Sequence, residues 1–172
     1  MDVSKELASN KVVLVVVPSA KYSATSLKIV KKLAQKKLCY VTTNKTSASL
    51  NENFTKKKVK MENVIFVDAI SKSLGTGSKE DQSIHISSPG ALTELSLVIR
   101  KVLKHDLDYL IFDSITNLLT YNKPETVSRF LSSLTNQIKK SKTKAVFYAL
   151  DVAEHKSMIQ KCGMFVDKVV KG

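Results

Sequence analysis

The chain alternates short, continuous apolar runs with longer stretches in which apolar residues recur at helical spacing. A continuous run of β-branched residues is typical of a parallel strand that is covered on both faces. Such runs predict strands over residues 12–17, 38–43, 64–69, 109–112, 145–150 and 165–170. Because strands and helices alternate along the chain, the pattern predicts a parallel sheet with right-handed crossover helices.

The stretches between these runs predict the helices. The first places Leu27, Val30 and Leu33 on one face and its lysines on the other. Ser23 or Thr25 is suited to cap the start of this helix. Further helices are predicted over residues 48–57, over SSPGALTELSLVIRKVL, over KPETVSRFLSSLTNQIKKS and over residues 153–161.

Two polar regions predict irregular structure. Residues 1–11 predict a short lead-in with helical character over SKELAS. Residues 71–88 hold Gly75 and Gly77 among polar side chains and predict a mobile surface loop. Their Gly-Thr-Gly sequence does not join a strand to a helix, so we expect no second anion site there. Without a repeat or a linker, the sequence predicts one domain over residues 1–172.

Composition agrees with a packed globular core, since 43% of the residues are hydrophobic and 6% are aromatic. The first apolar run is too short to span a membrane, and no signal-peptide pattern accompanies it. Cys39 and Cys162 lie in unlike contexts, which favours buried thiols in a reducing compartment over a disulfide or a metal site. We therefore expect a soluble, cytoplasmic protein with no membrane partner and no metal.

The net charge of +13 changes this picture, because it invites an anionic partner. Arg100 and Arg129 are the only arginines, although base and phosphate recognition favours arginine over lysine. We expect a solvating lysine surface, with nucleic-acid binding as the alternative. The candidate surfaces are two groups of lysines, Lys56, Lys57, Lys58 and Lys60, or Lys139, Lys140, Lys142 and Lys144.

The stretch VVLVVVPSAKYSATSL, residues 12–27, joins a strand to a helix in the manner of a phosphate-binding loop. A working P-loop has the pattern G-x-x-x-x-G-K-[ST], whose glycines, lysine and hydroxyl hold phosphates and magnesium. Pro18 and Ser23 stand where the glycines belong, and Ala24 stands in place of the lysine. Only the hydroxyl of Thr25 matches, so we expect a poor anion nest.

A second candidate group follows the fourth strand, where YLIF ends in Asp113. In P-loop enzymes an acidic residue at this point lies beside the magnesium ion. An aspartate that caps the next turn is the structural alternative. Thr25, Ser26 and Asp113 either hold a magnesium ion or hydrogen-bond one another, and we expect the structural contact. Ser19 and Lys21 complete the residual phosphate-loop position.

Taken in order, these elements resemble the RecA-like P-loop ATPases, and among them the KaiC-like proteins of archaea. The resemblance spans almost the whole chain, from the loop strand to FVDKVV. Its most specific parts are the DS ending of the fourth strand, the run YNKPETVSRFL and the segment SSPGALTELS. It implies an α/β three-layer sandwich with a mainly parallel central sheet. With strands numbered along the chain, the implied order is 3-2-4-5-1-6.

The family's activity does not follow from its fold. Ala24 lacks the charge that neutralises terminal phosphates. Thr43, Asn44 and Lys45 occupy the place where KaiC-like enzymes usually carry an acidic base. We therefore expect no catalytic residue and no ATP or magnesium cofactor.

The function predicted on these grounds is that of a non-catalytic domain with a regulatory or scaffolding role. Its expected partner is another protein or a second copy of the chain. A weak nucleotide-binding switch without hydrolysis, held by Lys21, Thr25 and Asp113, is the alternative.

Overall fold

A central seven-stranded sheet organises the computed structural model, which describes residues 2–76 and 83–172. The strands are β1 (Val12–Val17), β2 (Leu38–Thr42), β3 (Val64–Asp68), β4 (Ile84–His85), β5 (Tyr109–Asp113), β6 (Lys144–Leu150) and β7 (Lys168–Lys171). The helices are α1 (Val3–Ser9), α2 (Tyr22–Leu33), α3 (Ser47–Lys56), α4 (Leu92–Val102), α5 (Pro124–Lys139) and α6 (Lys156–Gly163).

The strand order is β4-β3-β2-β5-β6-β1-β7, and every neighbouring pair is parallel. The predicted α/β class with a RecA-like parallel sheet is confirmed, and the predicted strands lie in the predicted order. The difference is β4, a strand of two residues that pairs with β3 at the edge of the sheet. β4 lies inside the region predicted as a loop over residues 71–88, because the apolar residues Ile84 and Ile86 are too few to form a strand pattern.

Helices cover both faces of the sheet, which explains the continuous β-branched runs. In β1, Leu14 faces one core and Val15 the other, and both are fully buried. Helices α4, α5 and α6 supply apolar side chains to the first core, and α1, α2 and α3 supply them to the second. Successive side chains of a strand point to opposite faces, so a strand between two helix layers is apolar throughout. The result is a three-layer sandwich.

The polar lead-in forms α1, which packs against the second core. The side chain of Asp2 accepts a hydrogen bond from the Ser4 amide and caps the helix. Val3 and Leu7 are buried. At the other end, the Lys144 ammonium donates to the carbonyl of Leu7. The helical character predicted over SKELAS is therefore confirmed, and the lead-in contributes to the core.

The last strand is shorter than predicted, because the chain between α6 and β7 makes other contacts. The amide of Phe165 donates to the carbonyl of Cys162 at 3.0 Å and closes the end of α6. The carboxylate of Asp167 accepts a hydrogen bond from the Val12 amide at 2.9 Å. Regular pairing with β1 therefore begins only at Lys168.

The surface loop predicted over residues 71–88 falls partly on residues 77–82, including Gly77, which lie outside the described residues. Its first part holds a short 3-10 turn, Lys72–Leu74, followed by Gly75 with φ at 69°. Glycine is favoured there because a side chain would strain a left-handed backbone. The mobility of this loop stays a prediction.

A buried carboxylate anchors the end of β3. Asp68 has 0% exposure and accepts hydrogen bonds from the amides of Ser47, Ile70 and Ser71 and from the Ser71 hydroxyl. Burial by itself raises the pKa of Asp68, but the hydrogen bonds from Ser71 and Ser47 outweigh it and lower the pKa below its usual value. The charge thus holds the start of α3 to the sheet.

We expect Asp68→Asn to lower the free energy of unfolding by about 2–4 kcal/mol at neutral pH, because an amide cannot replace every accepting lone pair. Since the folded pKa is lowered, this contribution is present above the unfolded value of 3.8 and is lost as the pH falls through the folded pKa. Urea unfolding of both proteins at neutral and acid pH measures it. A difference that stays constant on acidification would contradict the role of the charge.

Candidate functional site

The candidate site lies at the carboxyl edge of the sheet, where β1 and β5 end. Parallel α/β sheets bind ligands at this edge, outside the ends of the strands. β6 separates β1 from β5 in the sheet. The loop after Val17 must therefore reach across β6 to meet Asp113.

The loop after β1 is a tight turn rather than a wide cradle. Pro18 has φ −60° and ψ 141°, and Ser19–Lys21 then form one 3-10 turn. The Lys21 amide donates to the Pro18 carbonyl at 2.9 Å. The Tyr22 amide donates to the Ser19 carbonyl. Amides of the loop thus bond to carbonyls of the same loop.

This turn continues directly into α2, which begins at Tyr22 with Lys21 at the capping position. The helix therefore starts before Ser23 and Thr25. The prediction that one of these hydroxyls caps the helix is wrong, because the 3-10 turn brings the chain into helical geometry earlier than the sequence signal implied.

Asp113 is 2% exposed, and three side chains donate hydrogen bonds to its carboxylate. Tyr22 donates to Oδ1, and Tyr40 donates to Oδ2. Asn44 donates to Oδ1 at 3.2 Å. The donors come from α2, from β2 and from the segment after β2, so the carboxylate links three parts of the chain. The peptide bond that joins Asp113 to Ser114 is cis.

Tyr22 bridges the strand that separates the loop from the aspartate. Its ring makes an edge-on contact with the ring of Tyr148 in β6, with centroids 5.9 Å apart and planes at 76°. Its hydroxyl then meets the Asp113 carboxylate beyond β6. The side chain of the first residue of α2 therefore lies between the loop and the aspartate.

Burial dominates the electrostatics of this network. It raises the pKa of Asp113 above its usual value, although hydrogen bonds from Tyr22, Tyr40 and Asn44 and the charge of Lys45 act in the opposite direction. Burial, followed by the charge of Asp113, raises the pKa values of Tyr22 and Tyr40 well above their usual range. The tyrosines therefore remain protonated donors at neutral pH.

A cavity of about 210 Å³ opens beside the network, between α2 and α3. Three of the predicted site residues, Ser23, Ser26 and Asp113, line it. The Ser26 hydroxyl lies 3.3 Å from the Tyr40 hydroxyl and joins the network through it. The structure thus brings these predicted residues to one place.

The other predicted residues point elsewhere. Thr25 lines a different groove, together with Gly172. Ser19 and Lys21 are exposed in the turn, and Pro18 is half-buried. The predicted hydrogen bonds between Asp113 and the hydroxyls of Thr25 and Ser26 are wrong: the described donors to the carboxylate are Tyr22, Tyr40 and Asn44, and Ser26 reaches the network only through the Tyr40 hydroxyl.

Sequence reasoning missed Tyr22, Tyr40 and Asn44. Tyr40 interrupts an apolar run, and a buried tyrosine hydroxyl needs a partner, so this signal was available. Nothing local singles out Tyr22, because its contact crosses a strand. In the segment after β2, where KaiC-like enzymes usually carry an acidic base, Asn44 donates to Asp113 and Lys45 lines the cavity.

The two lysine groups differ in what they contact. In the second group, Lys139 pairs with Asp167 at 2.7 Å and Lys144 bonds to backbone carbonyls of α1. In the first group, Lys56 pairs with Glu52 at the surface. Part of the second group therefore serves the fold itself.

The two cysteines are free and buried, and burial raises the pKa of each thiol to about 12. They are therefore protonated and unreactive at neutral pH. Over residues 2–76 and 83–172, no set of three or more His, Cys, Asp or Glu side chains is arranged to hold a metal ion. Within the same ranges, every helix is too short or too polar to cross a membrane.

The sheet order and the position of the site define a RecA-like α/β fold, and solved structures agree. The uncharacterized protein PH0321 from Pyrococcus horikoshii, solved in complex with an unknown peptide, matches with a TM-score of 0.73 and 12% identity over 95% of this chain and 78% of that one. The KaiC-like protein PH0186 from Pyrococcus horikoshii OT3 matches with a TM-score of 0.59 and 13% identity over 81% of this chain. At these identities the likeness concerns the fold alone.

The chain belongs to the family of unknown function DUF7504, whose sequence model matches residues 11–171. The match to PH0186 spans 61% of that protein, which is less than two thirds of its length. No curated protein matches the chain.

The raised pKa of Asp113 gives a test of the network. The folded state keeps the Asp113 proton to higher pH than the unfolded state, whose value is near 3.8, so the carboxylate costs stability as the pH rises above about 4. We expect the stability of the parent, relative to Asp113→Asn, to increase as the pH falls from about 7 to about 4.

Urea unfolding across this pH range measures the effect. Asp68→Asn is a matched comparison, because its lowered pKa predicts the opposite slope. If the stability difference between parent and variant changes with pH in the same way for both variants, the raised pKa assigned to Asp113 is contradicted.

Proposed function

We propose that the protein is a non-catalytic RecA-like domain that acts by binding another protein, in a regulatory or scaffolding role. One observation carries the proposal, namely that the Tyr22 side chain lies between the loop and Asp113 and donates to the carboxylate. In a working site of this class, the acidic residue lies beside the magnesium ion. In this chain a tyrosine from the start of α2 contacts it instead.

The loop chemistry supports the same conclusion. Ala24 offers no charge for a terminal phosphate, and Pro18 offers no amide. The amides of Lys21 and Tyr22 are engaged within the turn. These residues do not fit magnesium–ATP. We regard the loop as a degenerate phosphate-binding motif.

The segment after β2 supports the absence of hydrolysis. Activation of water needs a base within hydrogen-bond reach. Asn44 and Lys45 stand where the base is expected, and neither offers a carboxylate. Among the described residues, Asp113 is the only acidic group that lines the cavity, and its oxygens accept hydrogen bonds from neighbouring side chains.

The chain has a complete hydrophobic core but lacks the catalytic groups of the family. A domain of this kind can still present a surface that binds another protein. The peptide found with PH0321 is compatible with peptide binding on this fold. We place the protein in the cytoplasm, since two free buried thiols suit a reducing compartment.

We expect no binding of ATP with magnesium at micromolar concentrations and no turnover above background, because Ala24 offers no charge to a phosphate and Tyr22 and Tyr40 already contact the Asp113 carboxylate. Isothermal titration calorimetry and a phosphate-release assay on the same preparation measure this. Micromolar affinity, or phosphate release that Asp113→Asn abolishes, would overturn the proposal.

A nucleotide-binding switch without hydrolysis is the second candidate, and the cavity beside Asp113 is the observation that favours it. It predicts that saturating ATP with magnesium raises the melting temperature of the parent more than that of Asp113→Ala. Under the leading proposal we expect no shift for either protein. Scanning calorimetry separates the two candidates, since only the switch makes the shift depend on Asp113.

A further inference from the structure

We infer that the groove between α2 and α3 binds an acidic segment of a partner protein, one that carries an apolar side chain between its carboxylates. The groove consists of the cavity beside Asp113 and an adjoining depression of about 300 Å³, which share Asn53 and Lys57. The inference rests on the proposed function, because it names the chemistry of the partner.

The groove combines an apolar lining with positive charge. The half-buried Leu27 and the exposed edges of the mostly buried Leu50 and Phe54 form the apolar part of the lining. Lys45 and Lys57 line the same cavity and are exposed. An apolar lining binds an apolar side chain through burial of surface, and the lysines favour carboxylates on either side of it.

The lysines that line the cavity form no close ion pair among the described residues, although the charge of Lys45 acts on the buried Asp113, which lines the same cavity. Over residues 2–76 and 83–172, neither Lys45 nor Lys57 has an ion-pair partner within 4.0 Å. Lys56, which lines the adjoining depression, pairs with the exposed Glu52. Exposed pairs of this kind are weak, so a partner carboxylate can compete for Lys56 as well.

A second copy of the chain is a poor occupant. Each copy carries a net charge of +13, so two copies repel one another at a basic groove. Complementary charge favours a partner of the opposite sign.

Nucleic acid is also disfavoured at this groove. Single strands bind through exposed aromatic rings and basic side chains. Here the ring of Phe54 is 4% exposed and packs against Tyr40 at 5.6 Å, while Tyr22 is held on Asp113. The arginines lie on α4 and α5, the helices of the opposite face.

The groove is tested by selecting peptides from a random library displayed on phage against the parent protein. The test variant is Lys45→Gln combined with Lys57→Gln. The control is Lys101→Gln combined with Lys104→Gln, which removes the same charge at exposed positions at and just beyond the end of α4. Melting curves confirm that both variants fold like the parent.

We expect the selected peptides to contain an apolar residue flanked by acidic ones. Synthetic copies should bind the groove variant at least about tenfold more weakly than the parent, and the control variant like the parent. Replacing the apolar residue by serine should weaken binding to the parent.

Three results would overturn the inference. The first is a selection that enriches no peptide, or only peptides without acidic residues. The second is equal binding of the peptide to the groove variant and the control variant. The third is displacement of the peptide by an oligothymidylate of about 20 nucleotides that binds the parent but not the groove variant. Calorimetry with ATP and magnesium on the same samples keeps the two proposals apart. Nucleotide binding overturns the proposed function, whereas peptides that bind away from the groove overturn only this inference.

Discussion

The hydrogen bonds that end on Asp113 determine the structure of the carboxyl edge. A buried carboxylate without partners costs several kcal/mol, on the order of the whole stability of a small domain. Tyr22, Tyr40 and Asn44 supply the partners, and they come from separate elements. The start of α2, the end of β2 and the end of β5 are therefore held in one arrangement. Changing any one of them leaves a buried acceptor short of a donor.

This arrangement and a bound magnesium ion compete for the same oxygens. A metal at Asp113 would need the carboxylate oxygens that Tyr22 and Tyr40 now contact. Displaced tyrosine hydroxyls would then need new partners in a buried region, at a cost of about 1–3 kcal/mol each. The tight turn at Ser19–Lys21 adds to this cost, because it would have to open before its amides could face a phosphate. The hydrogen bonds within the turn and those to Asp113 therefore both oppose the binding of magnesium and phosphate here.

The sequence predicted the sheet well and the site only in part, for physical reasons. Continuous β-branched runs such as Val12–Val17 occur where helices cover both faces of a sheet, so these runs were enough to predict the strands. Their order came from the resemblance to RecA-like proteins. Of the residues that the phosphate-loop pattern predicted for the site, Ser23, Ser26 and Asp113 line the cavity, whereas Pro18 does not. Tyr22 makes its contact with Asp113 across β6, and no local pattern encodes such a contact.

The sequence also does not show which lysines serve the fold and which border a cavity. In the sequence, Lys144 and Lys57 are alike, since both belong to basic clusters that invite an anionic partner. In the structure Lys144 bonds to carbonyls at the end of α1, which makes it part of the fold, whereas Lys57 borders a cavity with a mixed apolar and polar lining. Net charge therefore identifies no binding surface by itself. Unpaired charge becomes informative where it surrounds apolar surface, because a ligand can then be recognised by both.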